Sequence, residues 1–396
     1  MTPTMTSRER MMAALECGQP DYVPACFMIF AALRSRCADE WEFVERQLEM
    51  GLDAVVRVPL ISPTAKIDYG DLRGLPARFA DNVEVRTWRE EVPGERYPLL
   101  HKEYRTPAGT LNCVVNETDD WPYGEHVPLF DDYVCPRARV FPVNAPDDLP
   151  PLRYLLTPPS AEDIDALHAQ AQEARRFADE RGVLVEGGWG VGADALGWLC
   201  GFENAMVAAI ERPEFIEELL GLIAQWNRRR MEVLLDAGVD LFVRRGWYEG
   251  ADFFSPPMYG RFIVPSLQSE VELAHQAGAK FGYILTTGMM PLLDVLLEVG
   301  IDVLIGIDPV QGRGTDLTAT NAKLGGRMSV WGGVNGFLTI ERGTEEEVRL
   351  AVRQAIEALG PGGGLILSPV DNVRADEETA WRNVNTFIDA WKQMRR

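Results

Sequence analysis

Short apolar runs alternate with amphipathic helical periods through the C-terminal two thirds of the chain. The runs are partly β-branched, and the segments between them repeat their apolar residues at helical spacing. This alternation is typical of repeated strand–helix units whose strands are parallel and buried. It predicts strands at Val183–Gly188, Val239–Val243, Lys280–Leu285, Val303–Ile307, Met328–Trp331 and Gly364–Leu367.

The segments between these runs predict helices. Pro213 suits the first turn of the longest one, and Gly238 suits the position that follows its last turn. The predicted helices are Glu203–Ile210, Pro213–Ala237, Pro257–Gln276, Met290–Val299, Leu317–Leu324, Glu345–Leu359 and Glu377–Arg395.

Two further strands, Tyr22–Ile29 and Asp53–Val58, are predicted upstream and are joined by a helix over Glu40–Met50. Together with the other six they make eight, and eight parallel strands with crossover helices close into a (β/α)8 TIM barrel. The fold class is therefore α/β. The competing architecture is a doubly wound open sheet.

Residues 61–160 interrupt the strand–helix rhythm. The interval is rich in Pro, Asp and Arg, and Thr110–Val115 alternates in the manner of a strand. We interpret it as a β-rich insertion after the second strand that caps the barrel mouth, within a single domain of residues 1–396. Its aromatic residues are Tyr97, Tyr104, Trp121, Tyr123, Phe130 and Tyr133.

Composition narrows the classes of partner. The chain has 396 residues, of which 46% are hydrophobic and 25% charged, and its formal net charge is −21. Phosphate backbones repel such an acidic chain, so nucleic acid is not an expected partner. The sequence has neither a run of about 18 apolar residues nor a signal-peptide pattern at its start. We therefore expect a cytoplasmic protein without a membrane partner.

The six cysteines show no CxxC pairing, and none of them follows Cys200. A chain of this length has a core large enough to fold without disulfides. We expect all six cysteines to be reduced.

Polar and aromatic residues follow almost every predicted strand. Because the carboxyl ends of parallel strands meet at one edge of the sheet, these side chains are candidates for a common site. Glu186, Glu249 and Asp371 are the candidate proton donors, since burial raises the pKa of a carboxyl group. The candidate substrate-binding residues are Arg57, His126, Trp189, Arg244, Trp247, Tyr248, Tyr283, Thr286, Asp308 and Asn335.

Each of these residues also has a structural interpretation. Glu249 and Glu186 could form ion pairs with nearby arginines, and Asp371 could cap a helix or close an Asx turn. Arg244 and Arg245 are adjacent in one strand, where side chains alternate. Only one of the two can therefore point into the barrel mouth.

Several segments carry a resemblance to a known family. They include SRERMMAAL at 7–15, PDYVP at 20–24, GFEN at 201–204, the Ser-Pro-x-x-Tyr-x-x-Phe-x-x-Pro pattern from 255 and PLLDVLLEVGID at 291–302. In order and spacing the chain resembles the uroporphyrinogen decarboxylase superfamily. The resemblance covers nearly the whole chain and implies a TIM barrel. The superfamily contains porphyrinogen decarboxylases and corrinoid-linked methyltransferases.

The chain departs from both well-known branches. The arginine cluster that follows the first strand in true decarboxylases is replaced by FMIFAALR at 27–34, and their aspartate after the second strand is missing from RVPLIS at 57–62. The zinc-dependent methyltransferases carry His-x-Cys after the fifth strand, where this chain has YILTTG at 283–288. With no cysteine beyond Cys200, the standard zinc–thiolate site cannot be built.

The resemblance therefore implies a methyltransferase that moves a methyl group from a small O- or N-methyl compound to a corrinoid or similar acceptor. The corrinoid would be carried on a partner protein, and no tightly bound cofactor or metal is expected. A metal site from Glu186, Glu249, Asp308 and Asp371 is a weak alternative without supporting spacing. The first alternative function is a decarboxylase or lyase acting on a small carboxylate, and the second is a non-catalytic small-ligand-binding barrel. A homodimer through the barrel face would be compatible with the sequence.

Overall fold

The computed structural model describes residues 4–59 and 78–395 of the chain. Seven strands form one curled parallel sheet, and four others form a separate antiparallel sheet. In chain order the strands are β1 (Val55–Val58), β2 (Glu84–Glu90), β3 (Leu99–Thr106), β4 (Gly109–Asn116), β5 (Ala138–Val140), β6 (Leu184–Gly190), β7 (Leu241–Arg245), β8 (Lys280–Ile284), β9 (Val303–Ile307), β10 (Ser329–Asn335) and β11 (Leu365–Val370).

Helices connect the parallel strands, as the amphipathic periods predict. They are α1 (Ser7–Leu15), α2 (Ala31–Arg34), α3 (Glu40–Glu49), α4 (Leu149–Leu152), α5 (Ala161–Arg181), α6 (Asp194–Leu199), α7 (Phe202–Glu211), α8 (Pro213–Asp236), α9 (Pro256–Phe262), α10 (Val264–Gln276), α11 (Leu293–Val299), α12 (Leu317–Leu324), α13 (Glu345–Leu359) and α14 (Glu378–Met394).

The order of the parallel strands is β1-β6-β7-β8-β9-β10-β11, so each strand pairs with the next parallel strand along the chain. A doubly wound sheet reverses direction at a switch point, and this order contains no reversal. The barrel-like α/β class is therefore confirmed in the form of a curled seven-stranded sheet.

The predicted first strand, Tyr22–Ile29, is wrong as a continuous strand. The segment makes isolated parallel bridges to the last part of the sheet, one of which joins Ala25 to Leu367. Two of its backbone N–H groups donate to side chains instead of to a neighbouring strand. The amide of Ala25 donates to the Asp53 carboxylate at 3.1 Å, and that of Met28 donates to the Ser368 hydroxyl at 2.8 Å. These side chains replace the ladder that a regular strand needs.

The predicted helix Pro257–Gln276 is two helices, α9 and α10, which meet at Ile263. Pro265 supplies the reason, because it has no N–H to donate to the carbonyl of Arg261 and its ring crowds that carbonyl. Helix α5 was not predicted, although its capping box at Ser160 and Asp163 is a sequence signal for a helix start.

Strands β2 to β5 form an antiparallel sheet in the order β2-β3-β4-β5, and they lie between β1 and β6 in the chain. The β-rich character of the predicted insertion is therefore visible. Residues 61–77 of the predicted interval lie outside the described residues. That the insertion acts as a cap stays a prediction.

The two faces of the parallel sheet bury different clusters. Leu241 and Val243 pack inside the curl with Ile284 and Trp331. Phe242 belongs to the larger cluster between the sheet and the helices. Strand alternation thus separates an inner side from a helix side, and this separation decides where each polar residue at a strand end lies.

Among the described residues, no helix combines the length and the apolar character needed to span a bilayer.

Candidate functional site

A cavity of about 680 Å³ lies at the carboxyl ends of the parallel strands. We call it the mouth cavity. Its walls come from β6, the loop after β7, the segment after β11 and the segment between β4 and β5. It is lined by Ile29, Ala31, Tyr123, Asp131, Asp132, Tyr133, Arg137, Trp189, Trp247, Tyr248, Asp371, Asn372 and Arg374.

Two tryptophans form one wall of the mouth cavity. The ring centroids of Trp189 and Trp247 are 5.0 Å apart, and the ring planes make an angle of 51°. Tyr248 continues this wall, and its ring packs on Phe202 at 4.5 Å. Burial raises the pKa of the Tyr248 phenol well above its usual range. The phenol is therefore neutral at physiological pH and can donate a hydrogen bond.

Asp194 holds this aromatic wall in place. Its carboxylate accepts hydrogen bonds from the backbone N–H groups of Trp247 at 3.2 Å and Tyr248 at 2.8 Å. It also accepts one from Arg245 Nε at 2.8 Å. Burial raises the pKa of Asp194 to about 6, although the Arg245 guanidinium opposes the rise. The carboxylate is fully buried at the start of α6, so its role is to fix the loop.

The segment between β4 and β5 brings two adjacent carboxylates to the cavity. Asp131 accepts a hydrogen bond from the Tyr123 hydroxyl at 2.6 Å, and burial raises the pKa of Asp131. Asp132 accepts hydrogen bonds from Trp198 Nε1 at 2.9 Å and from Arg245. Both carboxylates are therefore engaged by donors within the protein.

Asp371 and Arg374 differ from the other charged residues of the cavity. Both are exposed, and neither side chain makes a hydrogen bond or an ion pair to any residue that the structure describes. Desolvation by the surrounding cavity walls raises the pKa of the Asp371 carboxyl group. The positive charge of Arg374 opposes this rise, and the negative charges of Asp132 and Asp308 add to it. The backbone of Asp371 has φ +66°, in the left-handed region. Strained residues of this kind cluster at functional sites.

A second cavity of about 480 Å³ adjoins the first. Trp247 and Tyr248 line both cavities and so form the wall between them. The predicted residue Thr286 lies in this second cavity. The remaining lining residues are Asp252, Phe253, Thr287, Gln311 and Arg313.

Arg244, Glu249 and Tyr283 lie on the helix side of the sheet and are not among the residues that line the mouth cavity. Arg244 Nη2 donates to both Glu249 oxygens at 2.9 and 3.0 Å, and its Nη1 donates to Glu270 at 3.1 Å. The Tyr283 hydroxyl donates to Glu249 at 2.6 Å. We call these four residues the buried network. The sequence analysis predicted Arg244, Glu249 and Tyr283 as site residues. In the structure all three are fully buried between the sheet and the helices.

The buried network also fixes the loop after β6. The Ala193 amide donates to Glu249, and a Cβ atom on Gly192 would lie 1.9 Å from Arg244 Nη2. The position therefore requires glycine. The loop that it forms leads directly into Asp194. The network thus supports the aromatic wall from behind without touching the cavity.

The two adjacent arginines lie on opposite sides of the sheet, as strand alternation predicts, but neither of them is among the residues that line the mouth cavity. Arg245 points inward, with its guanidinium 4.5 Å from the Trp198 ring centroid and 4.9 Å from that of Trp247. Arg244 points to the helix side of the sheet, although the sequence analysis named it as a candidate substrate-binding residue. Strand alternation is the physical reason.

Arg57 and Glu186 form an ion pair inside the curl of the sheet, with 3.0 Å between Arg57 Nε and Glu186 Oε1. Arg57 also donates to the Met28 carbonyl at 2.9 Å. Both residues line a much smaller cavity of about 10 Å³, and Trp189 separates it from the mouth cavity by lining both. Glu186 is therefore placed beneath the mouth cavity and is paired.

Asp308 and Asn335 are brought together but bind each other. The Asn335 amide donates to Asp308 at 2.7 Å, while the other Asp308 oxygen accepts from the backbone of Val310. Asn335 Oδ1 accepts from the backbone of Leu338 at 2.6 Å. The pair thus ties together the loops after β9 and β10. His126, also predicted, is half-buried in the segment between β4 and β5 and is not among the lining residues.

The mouth cavity therefore contains Trp189, Trp247, Tyr248 and Asp371 of the predicted site residues. Sequence reasoning missed Asp131, Asp132, Arg137 and Arg374. Arg374 follows Asp371 by three positions after the last strand, which is a usable signal. The consecutive carboxylates 131 and 132 lie between aromatic residues, but nothing in the sequence says which end of the barrel their loop reaches.

Among residues 4–59 and 78–395, no group of three or more His, Cys, Asp or Glu side chains could hold a metal ion. The position of the family's His-x-Cys is occupied by Tyr283 and the threonines that follow it, and Tyr283 faces the helix side. These residues do not fit a zinc–thiolate site.

Comparison with known proteins gives one family. The model of the uroporphyrinogen decarboxylase (URO-D) family matches residues 141–394. Among curated proteins, none matches the chain.

Solved structures give fold relatives. A methyltransferase from Methanosarcina mazei has a TM-score of 0.59 at 16% identity, with 98% of this chain and 99% of that chain covered. A B12-independent methionine synthase from a Shewanella species, in complex with selenomethionine, has a TM-score of 0.37 at 12% identity, with 56% of this chain and 65% of that chain covered. At these identities the likeness concerns the fold alone, and only the first score is high enough to support it.

Proposed function

This chain belongs to the uroporphyrinogen decarboxylase family, and from that premise we propose that it transfers a methyl group from a small O- or N-methyl compound to a nucleophilic acceptor. The observation that carries the proposal is the mouth cavity. It combines an aromatic wall with Asp371, a carboxylate in a left-handed backbone conformation that makes no hydrogen bond or ion pair to any described residue, at the carboxyl ends of the strands. Ligands bind at that end in barrel enzymes.

The donor would bind against Trp189 and Trp247. A methyl group offers no hydrogen bond, so its position has to be set by shape and by contact with apolar faces. The backbone hydrogen bonds from Trp247 and Tyr248 to Asp194 hold this wall rigid. A rigid wall keeps the methyl carbon in line with the attacking atom, which is the main contribution that a transferase of this kind can make.

Asp371 would act on the heteroatom that the methyl group leaves. In the transfer, the acceptor's electron pair forms the new bond to carbon, and the electron pair of the broken bond stays on oxygen or nitrogen. A departing alkoxide takes a proton, which protonated Asp371 could donate. A departing amine leaves neutral from an ammonium donor and needs no proton, so ionised Asp371 would instead balance the donor's charge.

The acceptor supplies the electron pair that forms the new bond to the methyl carbon. A reduced corrinoid carried on a partner protein supplies such a pair through its cobalt. Asp371 and Arg374 are exposed, so the mouth cavity is open to an acceptor that approaches from outside.

Decarboxylation of a small carboxylate is a second candidate. Its support is Arg374, which lies three residues from Asp371 and whose side chain makes no hydrogen bond or ion pair to a described residue. Arg374 would hold the carboxylate, carbon dioxide would leave, and protonated Asp371 would give its proton to the carbanion. This reaction needs no acceptor.

One experiment separates the two candidates. The purified protein is incubated with methoxylated aromatics, methylated amines and small carboxylates, with and without chemically reduced cob(I)alamin, while corrinoid absorbance and carbon dioxide are followed. Donor-dependent methylation of the corrinoid supports methyl transfer. Carbon dioxide release that is independent of the corrinoid would replace it with decarboxylation.

Asp371→Asn is the diagnostic variant, and we expect the rate of methyl transfer to fall by about a hundredfold or more. Asp376→Asn is the matched control. Asp376 lies on the same segment but pairs with Arg36 outside the mouth cavity. Equal rates for Asp371→Asn and the unaltered protein would remove Asp371 from the mechanism.

A further inference from the structure

We propose that the mouth cavity binds a zwitterion, with a methylated ammonium group between the aromatic wall and Asp371 and a carboxylate at Arg374. The identification of the zwitterion as the methyl donor rests on the proposed function. The binding of a zwitterion is independent of that function, because it depends only on the residues that line the cavity.

The aromatic wall suits a cation. The faces of Trp189 and Trp247 meet at 51° with centroids 5.0 Å apart, so together they form a corner instead of a stack. Ring faces attract cations, and tryptophan does so most strongly, which is how quaternary ammonium ligands are recognised. Tyr123 and Tyr133 also line the cavity and add further ring surface.

The carboxylate of Asp371 and the net charge of the protein favour a cation at this position, whereas the Arg245 guanidinium, 4.9 Å from the Trp247 ring centroid, opposes it. Asp371 lines the same cavity and makes no hydrogen bond or ion pair within the described chain. The net charge of the whole protein is −21, so its field attracts positively charged ligands. A neutral methyl ether would use neither the field nor the carboxylate.

Arg374 supplies the opposite pole. Arg137, the other arginine of the lining, is already engaged by Thr118, Asp120 and the carbonyl of Tyr133. Arg374 is exposed at the cavity, and its guanidinium has no hydrogen bond or ion pair to any described residue. A planar guanidinium binds a carboxylate with two parallel hydrogen bonds.

The side chains of Asp371 and Arg374, which have no hydrogen bond or ion pair within the described residues, have opposite charges and lie on one short segment, 371–374. A simple cation would leave Arg374 unmatched, and a simple anion would leave Asp371 unmatched. A molecule that carries both charges satisfies both groups at once. Its trimethylammonium end is also chemically consistent with methyl loss, because the C–N electron pair stays on nitrogen and a neutral amine departs without a proton.

The test uses ligands of matched shape and isothermal titration calorimetry on the full chain without any acceptor. The ligands are trimethylammonium carboxylates with one to four methylenes between the charges, glycine betaine being the shortest. 3,3-Dimethylbutanoate replaces the cationic nitrogen with carbon, and choline replaces the carboxylate with a hydroxyl group. We expect the best zwitterion to bind at least about tenfold more tightly than either analogue.

Two variants test which residue binds which charged group of the ligand. Arg374→Gln should remove the preference for the zwitterion over choline, and Asp371→Asn should remove the preference over dimethylbutanoate. Arg313→Gln is the control, because Arg313 lines the neighbouring cavity and is exposed. It should leave all three affinities unchanged. Circular dichroism checks that each variant is folded, and the ligand comparison in the unaltered protein needs no variant.

The inference is overturned if dimethylbutanoate or choline binds as tightly as every zwitterion, or if no zwitterion binds. Turnover of another methyl donor in that case would leave the proposed function standing. Conversely, tight zwitterion binding without methyl transfer to any acceptor would retain the inference and remove the function.

Discussion

The buried network behind β7 and the mouth cavity in front of it are built from the same types of residue, but they differ in how these residues are partnered. In the buried network, Arg244 binds two glutamates and Glu249 also accepts from a tyrosine and a backbone amide. In the mouth cavity, the side chains of Asp371 and Arg374 make no hydrogen bond or ion pair to any described residue. Polar residues at strand ends therefore divide into those that stabilise the fold and those that remain available to a ligand.

The largest loss of stability is expected when one partner is removed from the buried network. Glu249→Ala leaves Arg244 charged and fully buried with only Glu270 as its counter-charge. We expect the free energy of unfolding to fall by about 3–5 kcal/mol, measured by urea denaturation. Glu217→Ala removes one side of the exposed pair with Arg261 and should cost at most about 1 kcal/mol. Equal losses would contradict the distinction.

A smaller loss is expected from Gly192→Ala. The new methyl group would overlap the Arg244 guanidinium, so the network or the loop has to shift, at a cost of about 1–3 kcal/mol in unfolding free energy. Gly221→Ala in α8 is the control, because a Cβ atom there meets nothing within 4 Å. That substitution should be neutral or slightly stabilising.

The pH dependence of ligand affinity gives a third test. Desolvation by the cavity walls raises the pKa of the Asp371 carboxyl group. Arg374 opposes the rise, and the carboxylates of Asp132, Asp308 and Glu341 add to it. The ionised form predominates above this pKa, so affinity for a trimethylammonium carboxylate is present at higher pH and should fall about tenfold as pH drops through it. The ligand's ammonium does not titrate. Asp371→Asn should remove this fall in affinity from the profile, whereas an unchanged pH dependence in that variant would assign the titration to another group.

The smallest effect, and the one of opposite sign, is expected from Asp371→Gly. Glycine adopts φ +66° without strain, so the unfolding free energy should rise by up to about 1 kcal/mol. Methyl transfer and zwitterion binding should be lost in the same variant. A gain of stability together with a loss of activity would identify Asp371 as a residue retained for function. A loss of stability would instead indicate a structural role.

The sequence predicted the fold more completely than the site. Apolar runs located β9 at its observed bounds and the other parallel strands to within a few residues, since each run reflects local burial. Tyr22–Ile29 failed because two of its amides bind side chains from distant segments, Asp53 and Ser368. A pattern in one segment does not record such contacts.

The site residues divide in a similar way. Strand alternation correctly separated Arg244 from Arg245, but it was not applied to Tyr283, which pairs in register with Arg244 and so faces the same side. Asp371 was proposed from its position after the last parallel strand, and the structure places it in the mouth cavity. Asp131 and Asp132 were missed because the path of the loop between β4 and β5 depends on long-range packing, which one sequence does not reveal.

Trp247 and Tyr248 form a partition that bounds both cavities, so any displacement of it would couple the two compartments thermodynamically. A ligand that displaces the partition toward one side enlarges its own compartment at the expense of the other, and the resulting coupling free energy must be reciprocal. Occupancy of the second cavity should therefore change the affinity of the mouth cavity by the same factor as the reverse, which a two-ligand titration would measure. Asp194, which anchors both backbone amides of the partition, limits how large that factor can be.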